Sequence, residues 1–284
     1  MNLVRLGDVL GPAEKGGYAV GAFNANNMEI VQAIIEAAVE ERSPVIIQAS
    51  QGAIKYAGLE FIVALVKTAA QNADVPVVLH LDHGTDFAQV MRCIRHGFSS
   101  VMYDGSKLPL EDNILMTSRV IEIARAVGVS VEAELGKIGG TEDDVSVEER
   151  DALFTDPREA EIFARETGVD ALAIAIGTAH GVYKGEPKLD FPRLKRIREL
   201  TDVPIVLHGS SGVPDDAIRQ AVELGVSKIN IDTDIRQAFM GKAAEHMREN
   251  PDNIDPRKLL APAKESAKKI IKEKMRLFGS AGKA

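Results

Sequence analysis

The sequence is poor in cysteine and has no long uninterrupted apolar run. Cys93 is the only cysteine, so an intramolecular disulfide is excluded, and we interpret it as a buried structural thiol. No apolar run approaches the roughly 18 residues that a membrane helix needs, and the N-terminus lacks the pattern of a secretory signal. We therefore expect a soluble protein that works in the cytoplasm and has no membrane partner.

Acidic residues outnumber basic ones, 42 against 34, so the net charge is −8, and the sequence lacks a basic cluster of the kind that marks a nucleic-acid surface. This balance argues against nucleic-acid binding and favours small-molecule partners. The hydrophobic fraction of 45% and the charged fraction of 27% are those of an ordinary globular protein. A length of 284 residues is close to that of one (β/α)8 barrel.

Short β-rich apolar runs alternate with helical patterns along the whole chain, as expected for successive βα units around a parallel sheet. Eight runs predict strands, namely Tyr18–Phe23, Val45–Ser50, Val77–Asp82, Ser100–Asp104, Ser130–Leu135, Ala171–Ile176, Ile205–His208 and Lys228–Asp232. Helical patterns between them include Met28–Arg42 and Leu110–Val127. Eight such units predict a closed α/β TIM barrel.

A last helical pattern, about Arg257–Phe278, extends beyond the eighth unit, and no linker interrupts the chain. We therefore predict a single domain over residues 1–284 with an extra C-terminal helix. An open doubly wound sheet would also alternate strands and helices. It fits less well, because no Gly-x-Gly-x-x-Gly follows the first strand.

Polar residues end almost every predicted strand, which is where a (β/α)8 barrel carries its chemistry. They are Asn24, Ser50, Asp82, His83, Asp104, Glu132, Glu134, His180, His208, Asn230 and Asp232. His96 and His246 instead lie in helical patterns and are expected at the surface. Alternation along the third strand puts His80 on the same face as Asp82, so we interpret His80 as support for the site.

Three histidines at strand ends suggest a metal site, because zinc takes imidazole ligands and a catalytic site leaves its fourth position open. The spacing of His83, His180 and His208 matches no local zinc motif, but a barrel brings distant strand ends to one rim. The alternative is three unrelated histidines that cap loops. That alternative has to explain why carboxylates occupy the same rim.

Glycine-rich turns follow the sixth and seventh strands, at 177–185 and 208–214, and Pro214 then begins a helix. Such turns expose backbone amides, and a helix N-terminus adds the positive end of its dipole. Both features suit a phosphate group. The glycines could equally serve tight turns alone.

These segments together resemble the class II fructose-bisphosphate aldolase family, including its tagatose-bisphosphate branch, from about Tyr18 to Phe278. The resemblance rests on eight motifs in barrel order. They are GAFN at 21–24, HLDH at 80–83, VMYDGS at 101–106, VEAELG at 131–136, GGTEDD at 139–144, HGVYKGEP at 180–187, HGSSGVP at 208–214 and NIDTD at 230–234.

The resemblance implies a catalytic zinc ion held by His83, His180 and His208, with Asp104 and Glu134 as ligands in an alternative metal position. Three imidazoles do not enforce zinc alone, so the metal in the cell stays open, as does a requirement for Na⁺ or K⁺.

The resemblance also assigns the acid/base role to Asp82 and makes Glu142, on a mobile loop, the candidate base for the triose carbon proton. Arg257 matches an arginine that reaches a phosphate across a subunit interface, which implies a homodimer or homotetramer. The implied substrate contacts are Asn24, Ser50, Gly181, Lys184, Gly209, Ser211, Asn230, Asp232 and Thr233.

The reaction implied is reversible cleavage of fructose 1,6-bisphosphate to dihydroxyacetone phosphate and glyceraldehyde 3-phosphate through a zinc-stabilised enediolate. The motifs leave tagatose 1,6-bisphosphate open as the alternative substrate.

Two other readings also stay open. One is a class I aldolase with a Schiff-base lysine, for which Lys184 is the placed candidate, since Lys228 begins its strand and is expected to point to the opposite end. The other is a non-catalytic sugar-phosphate-binding protein.

Overall fold

Eight parallel strands close into a barrel in the computed structural model, as the sequence predicts. The structure describes residues 3–142, 145–147, 153–183 and 185–284, without the side chains of 141, 142 and 145–147. The strands are β1 (Val20–Asn24), β2 (Val45–Ser50), β3 (Val77–Gly84), β4 (Ser100–Tyr103), β5 (Ser130–Leu135), β6 (Gly139–Glu142), β7 (Val145–Val147), β8 (Ala171–Ile174), β9 (Ala179–His180), β10 (Ile205–Leu207) and β11 (Val226–Ile231). The barrel order is β1-β11-β10-β8-β5-β4-β3-β2, so each strand pairs in parallel with two others.

Helices cover the outside of the barrel, and the extra C-terminal helix is present. The helices are α1 (Leu6–Gly16), α2 (Met28–Glu41), α3 (Gln51–Ala57), α4 (Leu59–Gln71), α5 (Phe87–His96), α6 (Leu110–Ala126), α7 (Pro157–Thr167), α8 (Phe191–Leu200), α9 (Asp215–Glu223), α10 (Thr233–Glu249) and α11 (Pro256–Leu277). Every residue of β2, β3 and β5 is buried, as expected for strands covered on both faces. Among the described residues, no helix combines the length and apolar content that crossing a membrane requires.

Helix α1, which the sequence analysis did not predict, belongs to a separate apolar cluster with the residues that point into the barrel. Its Leu6 and Leu10 pack in this cluster with Ile46, Val78 and Val206 from three strands. The interior of the barrel is therefore a packed apolar core at the end that α1 covers, and the polar strand ends lie at the opposite end. Cys93 lies in the outer core, where burial raises the pKa of its thiol to about 12, in agreement with a structural role.

A small sheet of order β7-β6-β9 lies beyond the barrel and was also not predicted. Gly139 and Gly140 of β6 pair in parallel with Ala179 and His180 of β9. Gly140 has a φ of +93°, and a Cβ there would collide with the backbone of His180, so only glycine allows this approach. The pairing ties the segment after β5 to the segment that carries His180.

Helix α11 packs along α2 and α10 through a buried stripe that includes Ala267, Ile271 and Met275. Basic residues beside the stripe form ion pairs with acidic residues of α2; for example, Lys272 Nζ lies 2.6 Å from Glu40 Oε2. Apolar burial is the larger contribution, because exposed ion pairs are weakened by water and salt.

We expect Ile271→Ala to lower the free energy of unfolding by about 2–5 kcal/mol, because it leaves a cavity between two helices. Lys272→Ala, one residue along the same helix, is the matched control and should change it far less. Urea unfolding followed by circular dichroism measures both. Equal losses in the two variants would contradict the view that packing holds this helix in place.

Candidate active site

The end of β3 turns two consecutive polar side chains toward the barrel mouth. In a regular strand, neighbouring side chains point to opposite faces. His83, however, has a φ of +48°, and the register with β4 shifts between Leu81 and Gly84. Asp82 and His83 are both buried and both contact polar side chains of other strands. The irregular strand end thus places two functional groups where a regular strand would place one.

Two of the predicted metal ligands face each other through ring nitrogens. His208 Nε2 lies 2.8 Å from a carboxylate oxygen of Glu132. His83 Nδ1 lies 3.0 Å from a carboxylate oxygen of Asp104. Because a carboxylate accepts, each ring donates from that nitrogen and, when neutral, carries a lone pair on the other. These other nitrogens, His83 Nε2 and His208 Nδ1, are 3.2 Å apart, so a proton or a metal ion is needed between them.

His180 completes this group of imidazoles. Its ring centroid lies 5.0 Å from that of His83 and 6.0 Å from that of His208. One possible ligand atom from each of the three rings lies within 4.8 Å of the others. Tetrahedral zinc at roughly 2.0–2.1 Å from nitrogen separates its ligand atoms by about 3.3 Å, close to the spacing of His83 and His208. The donor set therefore fits a divalent metal ion.

Asp104 and Glu134 form a second possible ligand group with His83, again within 4.8 Å. Burial, aided by Asp104, raises the pKa of Glu134 well above its ordinary value. Burial opposes a charge on His83, but Asp82 and Asp104 together raise its pKa well above the ordinary value. Protons on Glu134 and His83 thus offset the negative charge of the neighbouring carboxylates, as a metal ion at this point would.

Asp82 is fully buried and is held by three amide side chains. Asn24 Nδ2 donates to Asp82 Oδ2 over 2.9 Å, and Gln48 Nε2 donates to the same oxygen over 3.0 Å. Asn230 Nδ2 donates to Oδ1 over 3.3 Å. Gln48 was not among the predicted site residues. The sequence did contain a signal for it: Gln48 is a polar residue in an otherwise apolar strand. It lies two positions before Ser50, and side chains two positions apart in a strand lie on the same face.

A cavity of about 200 Å³ opens beside His180, between the turns after β9 and β10 and the start of α10. It is lined by Ala179, His180, Gly181, Gly209, Ser210, Ser211, Asn230, Asp232, Thr233 and Arg236. Gly209 has a φ of +61°, and a Cβ there would lie 2.6 Å from the carbonyl oxygen of Ala179. Arg236 was not predicted; its Nε lies 2.7 Å from Asp232 Oδ1, one helical turn earlier.

Known proteins resemble the chain over its whole length. Residues 4–283 match the family described as fructose-bisphosphate aldolase class-II. The chain belongs to this family.

A fructose-bisphosphate aldolase from Thermus caldophilus is 48% identical, over 98% of this chain and 98% of that protein. The D-tagatose-1,6-bisphosphate aldolase subunit GatY of Klebsiella oxytoca is 43% identical, over 99% of each. The crystal structure of the YdjI aldolase from Escherichia coli K12 superposes with a TM-score of 0.87 at 35% identity, over 99% of both chains. The predicted family and reaction class, a class II aldolase, are confirmed.

Next to His208, this class II aldolase contains a buried ion pair between Lys228 and Glu132, which corrects the expectation for Lys228. Lys228 was expected to point away from the site, but its Nζ lies inside the barrel, 2.9 Å from Glu132 Oε2 and 2.7 Å from Asn230 Oδ1. Burial would raise the pKa of Glu132, but the ammonium group of Lys228 holds it below its ordinary value. His80 donates to or accepts from Ser100 Oγ at 2.8 Å, and burial with Lys228 lowers its pKa to about 3. His80 is therefore neutral.

The remaining predicted positions of the aldolase are less closely grouped. Ser50 accepts a hydrogen bond from the backbone of Ala53 at the start of α3, and it is in register with Asp82 on the next strand. Arg257 is the second residue of α11, and its side chain is 89% exposed and pairs with Asp255. Lys184 and the side chain of Glu142 lie outside the described residues. His96 and His246 lie in α5 and α10, as predicted.

We expect His208→Ala to lose zinc, because it removes one of the nitrogens that face each other. His246→Ala, on a surface helix, is the control and should bind zinc as the unmodified protein does. Metal analysis after dialysis and a chelator competition measure stoichiometry and affinity. Unchanged zinc binding by His208→Ala would show that the ligand set is wrong.

Proposed function

We propose that the protein is a zinc-dependent enzyme that reversibly cleaves fructose 1,6-bisphosphate into dihydroxyacetone phosphate and glyceraldehyde 3-phosphate. The observation that carries the proposal is the pair of imidazole nitrogens 3.2 Å apart next to the amide-held carboxylate of Asp82. Family membership supports the reaction, and relatives of both the fructose and the tagatose type align over nearly the full chain.

His83, His180 and His208 would hold the zinc ion, with Asp104 and Glu134 available for an alternative position. Cleavage of a carbon–carbon bond next to a ketone places negative charge on the carbonyl oxygen. A bound zinc ion supplies Lewis-acid stabilisation of that charge. The hydrogen bonds from His83 to Asp104 and from His208 to Glu132 support this role, since they orient both rings.

Asp82 would accept the proton of the C4 hydroxyl group during cleavage. A base must lie within hydrogen-bonding reach of the proton it takes. The carboxylate adjoins His83 in the chain, and three amide donors fix its orientation. The amides are neutral, so they orient the carboxylate without forming an ion pair with it. Glu142 would act on the triose carbon, a role that stays a prediction.

The cavity beside His180 would bind one phosphate group through Gly181, Gly209, Ser211 and Thr233, together with Lys184. Backbone amides of glycine-rich turns and hydroxyl groups suit an anion. Asp232 carries negative charge into this cavity, and its contact with Arg236 offsets that charge. Asn24, Ser50, Asn230 and Arg257 complete the proposed substrate contacts, listed here as predictions.

The proposal includes one catalytic domain over residues 1–284 and a cytoplasmic homodimer or homotetramer. The oligomer would let the exposed guanidinium of Arg257 serve the site of a neighbouring subunit. A monovalent cation such as Na⁺ or K⁺ is a further expectation from the resemblance.

The class I alternative, for which Lys184 is the predicted lysine, gains no second candidate from Lys228. A Schiff-base lysine must be accessible to a carbonyl group and able to become neutral. Lys228 is fully buried and paired with Glu132, so it does not meet the requirement of access to a carbonyl group.

We expect Asp82→Asn to lower kcat by about 10²-fold or more while zinc stays bound, because the amide cannot accept the hydroxyl proton. Asp86→Asn is a matched control on the same segment, since Asp86 caps α5. Steady-state kinetics and metal analysis on the same preparations measure both effects. Wild-type turnover by Asp82→Asn would remove Asp82 from the mechanism.

The substrate itself is tested by kcat/KM for fructose and tagatose 1,6-bisphosphate on zinc-replete protein. We expect the fructose ester to be favoured and both activities to disappear with EDTA. A higher value for the tagatose ester would overturn the substrate assignment. Inactivation by borohydride in the presence of substrate, with full activity in EDTA, would indicate Schiff-base chemistry.

A further inference from the structure

The Lys228–Glu132 ion pair lies inside the barrel, next to the proposed metal ligands. Both side chains are fully buried, and Nζ lies 2.9 Å and 3.1 Å from the two carboxylate oxygens. A buried ion pair is costly to desolvate, and apolar residues of similar volume often replace one without loss of stability. The packed core beside it already supplies apolar burial. The fold alone therefore gives little reason for this pair.

One side of the pair leads to the metal ligand His208. Glu132 Oε1 accepts from His208 Nε2 over 2.8 Å, which leaves the lone pair of His208 on Nδ1, facing His83. Lys228 contacts both oxygens of the same carboxylate. The ammonium group of Lys228 thus holds the carboxylate of Glu132 in place, and that carboxylate orients the ring of His208.

The other side of the pair leads to Asp82. Lys228 Nζ donates to Asn230 Oδ1 over 2.7 Å, and an ammonium group can only donate. The amide of Asn230 is thereby oriented with Nδ2 toward Asp82, to which it donates over 3.3 Å. If the amide turned over, its oxygen would face a carboxylate and its NH₂ group would face a cation.

We propose that the Lys228–Glu132 pair is a positioning device that sets the ring of His208 for the metal and the carboxylate of Asp82 for the substrate. Lys228 acts through Glu132 on one path and through Asn230 on the other. The second path rests on the proposed function, whereas the first depends only on metal binding.

The decisive variant is Lys228→Met/Glu132→Leu, which replaces both charges with apolar groups and is expected to fold. Zinc affinity, measured by chelator competition without substrate, should fall about 10- to 100-fold, the range typical of lost partners of metal ligands. The visible spectrum of the cobalt-substituted protein should change as well, because His208 is no longer held. Lys264→Met, which breaks an ion pair with Glu36 on the outer helices, is the matched control and should alter neither.

A pair that serves only the fold would give a different result. The double variant would then fold, bind zinc with unchanged affinity and keep the cobalt spectrum, and the proposal would be overturned. If the double variant does not fold, Glu132→Gln decides, since it keeps nearly the same shape; reduced zinc affinity supports the proposal, and unchanged affinity overturns it.

The effect of the ion pair on Asp82 is measured by steady-state kinetics at saturating zinc. We expect kcat of the double variant to fall about 100-fold, as a small misplacement of a reacting group can cost. KM should stay within about twofold, because neither substitution is at the proposed phosphate contacts Gly181, Gly209, Ser211 and Thr233. Equal kcat in the variant and the unmodified protein would overturn this path. Unmodified protein that cleaves neither bisphosphate would overturn the proposed function instead and leave the zinc result standing.

Discussion

The site depends on the hydrogen bonds that two buried carboxylates accept from imidazoles. Asp104 and Glu132 determine which nitrogen of His83 and which nitrogen of His208 carries the proton. The other two nitrogens, His83 Nε2 and His208 Nδ1, then lie 3.2 Å apart, a contact that needs a proton or a metal ion between them. These residues come from β3 and β5 and from the turns after β4 and β10, so the curvature of the barrel brings them together. The shape of the barrel and the proposed metal site are thus linked through hydrogen-bond geometry.

Barrel topology was predictable because hydrophobic periodicity reports burial directly, and β2 and β5 have the predicted bounds. The polar strand ends were predictable for the same reason. Helix α1 was not predicted, because its position depends on a long-range contact. Its apolar stripe, which includes Leu6 and Leu10, packs against residues that point into the barrel, and the local sequence pattern does not reveal this contact. The sheet of β6, β7 and β9 escaped because its pairing joins segments far apart in sequence. Where long-range pairing decides the local structure, local propensity says little.

Site geometry was harder to predict than site membership. Alternation along β3 would separate Asp82 from His83, and nothing in the residue types announces the positive φ that brings them together. Lys228 shows a second reason. Position along a strand fixes the Cα atom and the face, but a lysine carries its charge at the end of a four-carbon stem. The ammonium therefore reached the level of Asn230 although the residue lies early in its strand.

The charges inside the barrel divide into groups that are balanced in different ways. Lys228 balances Glu132, whereas three neutral amide side chains donate hydrogen bonds to Asp82. Asp104 and Glu134 have no such buried lysine among their described contacts, and raised pKa values of Glu134 and His83 offset the excess negative charge. A metal ion bound at this point would displace those protons and, by binding the folded state better than the unfolded one, would also stabilise the fold. The Lys228–Glu132 pair is balanced within itself, so it leaves the charge of Asp104 and Glu134 to be balanced by an exchangeable cation.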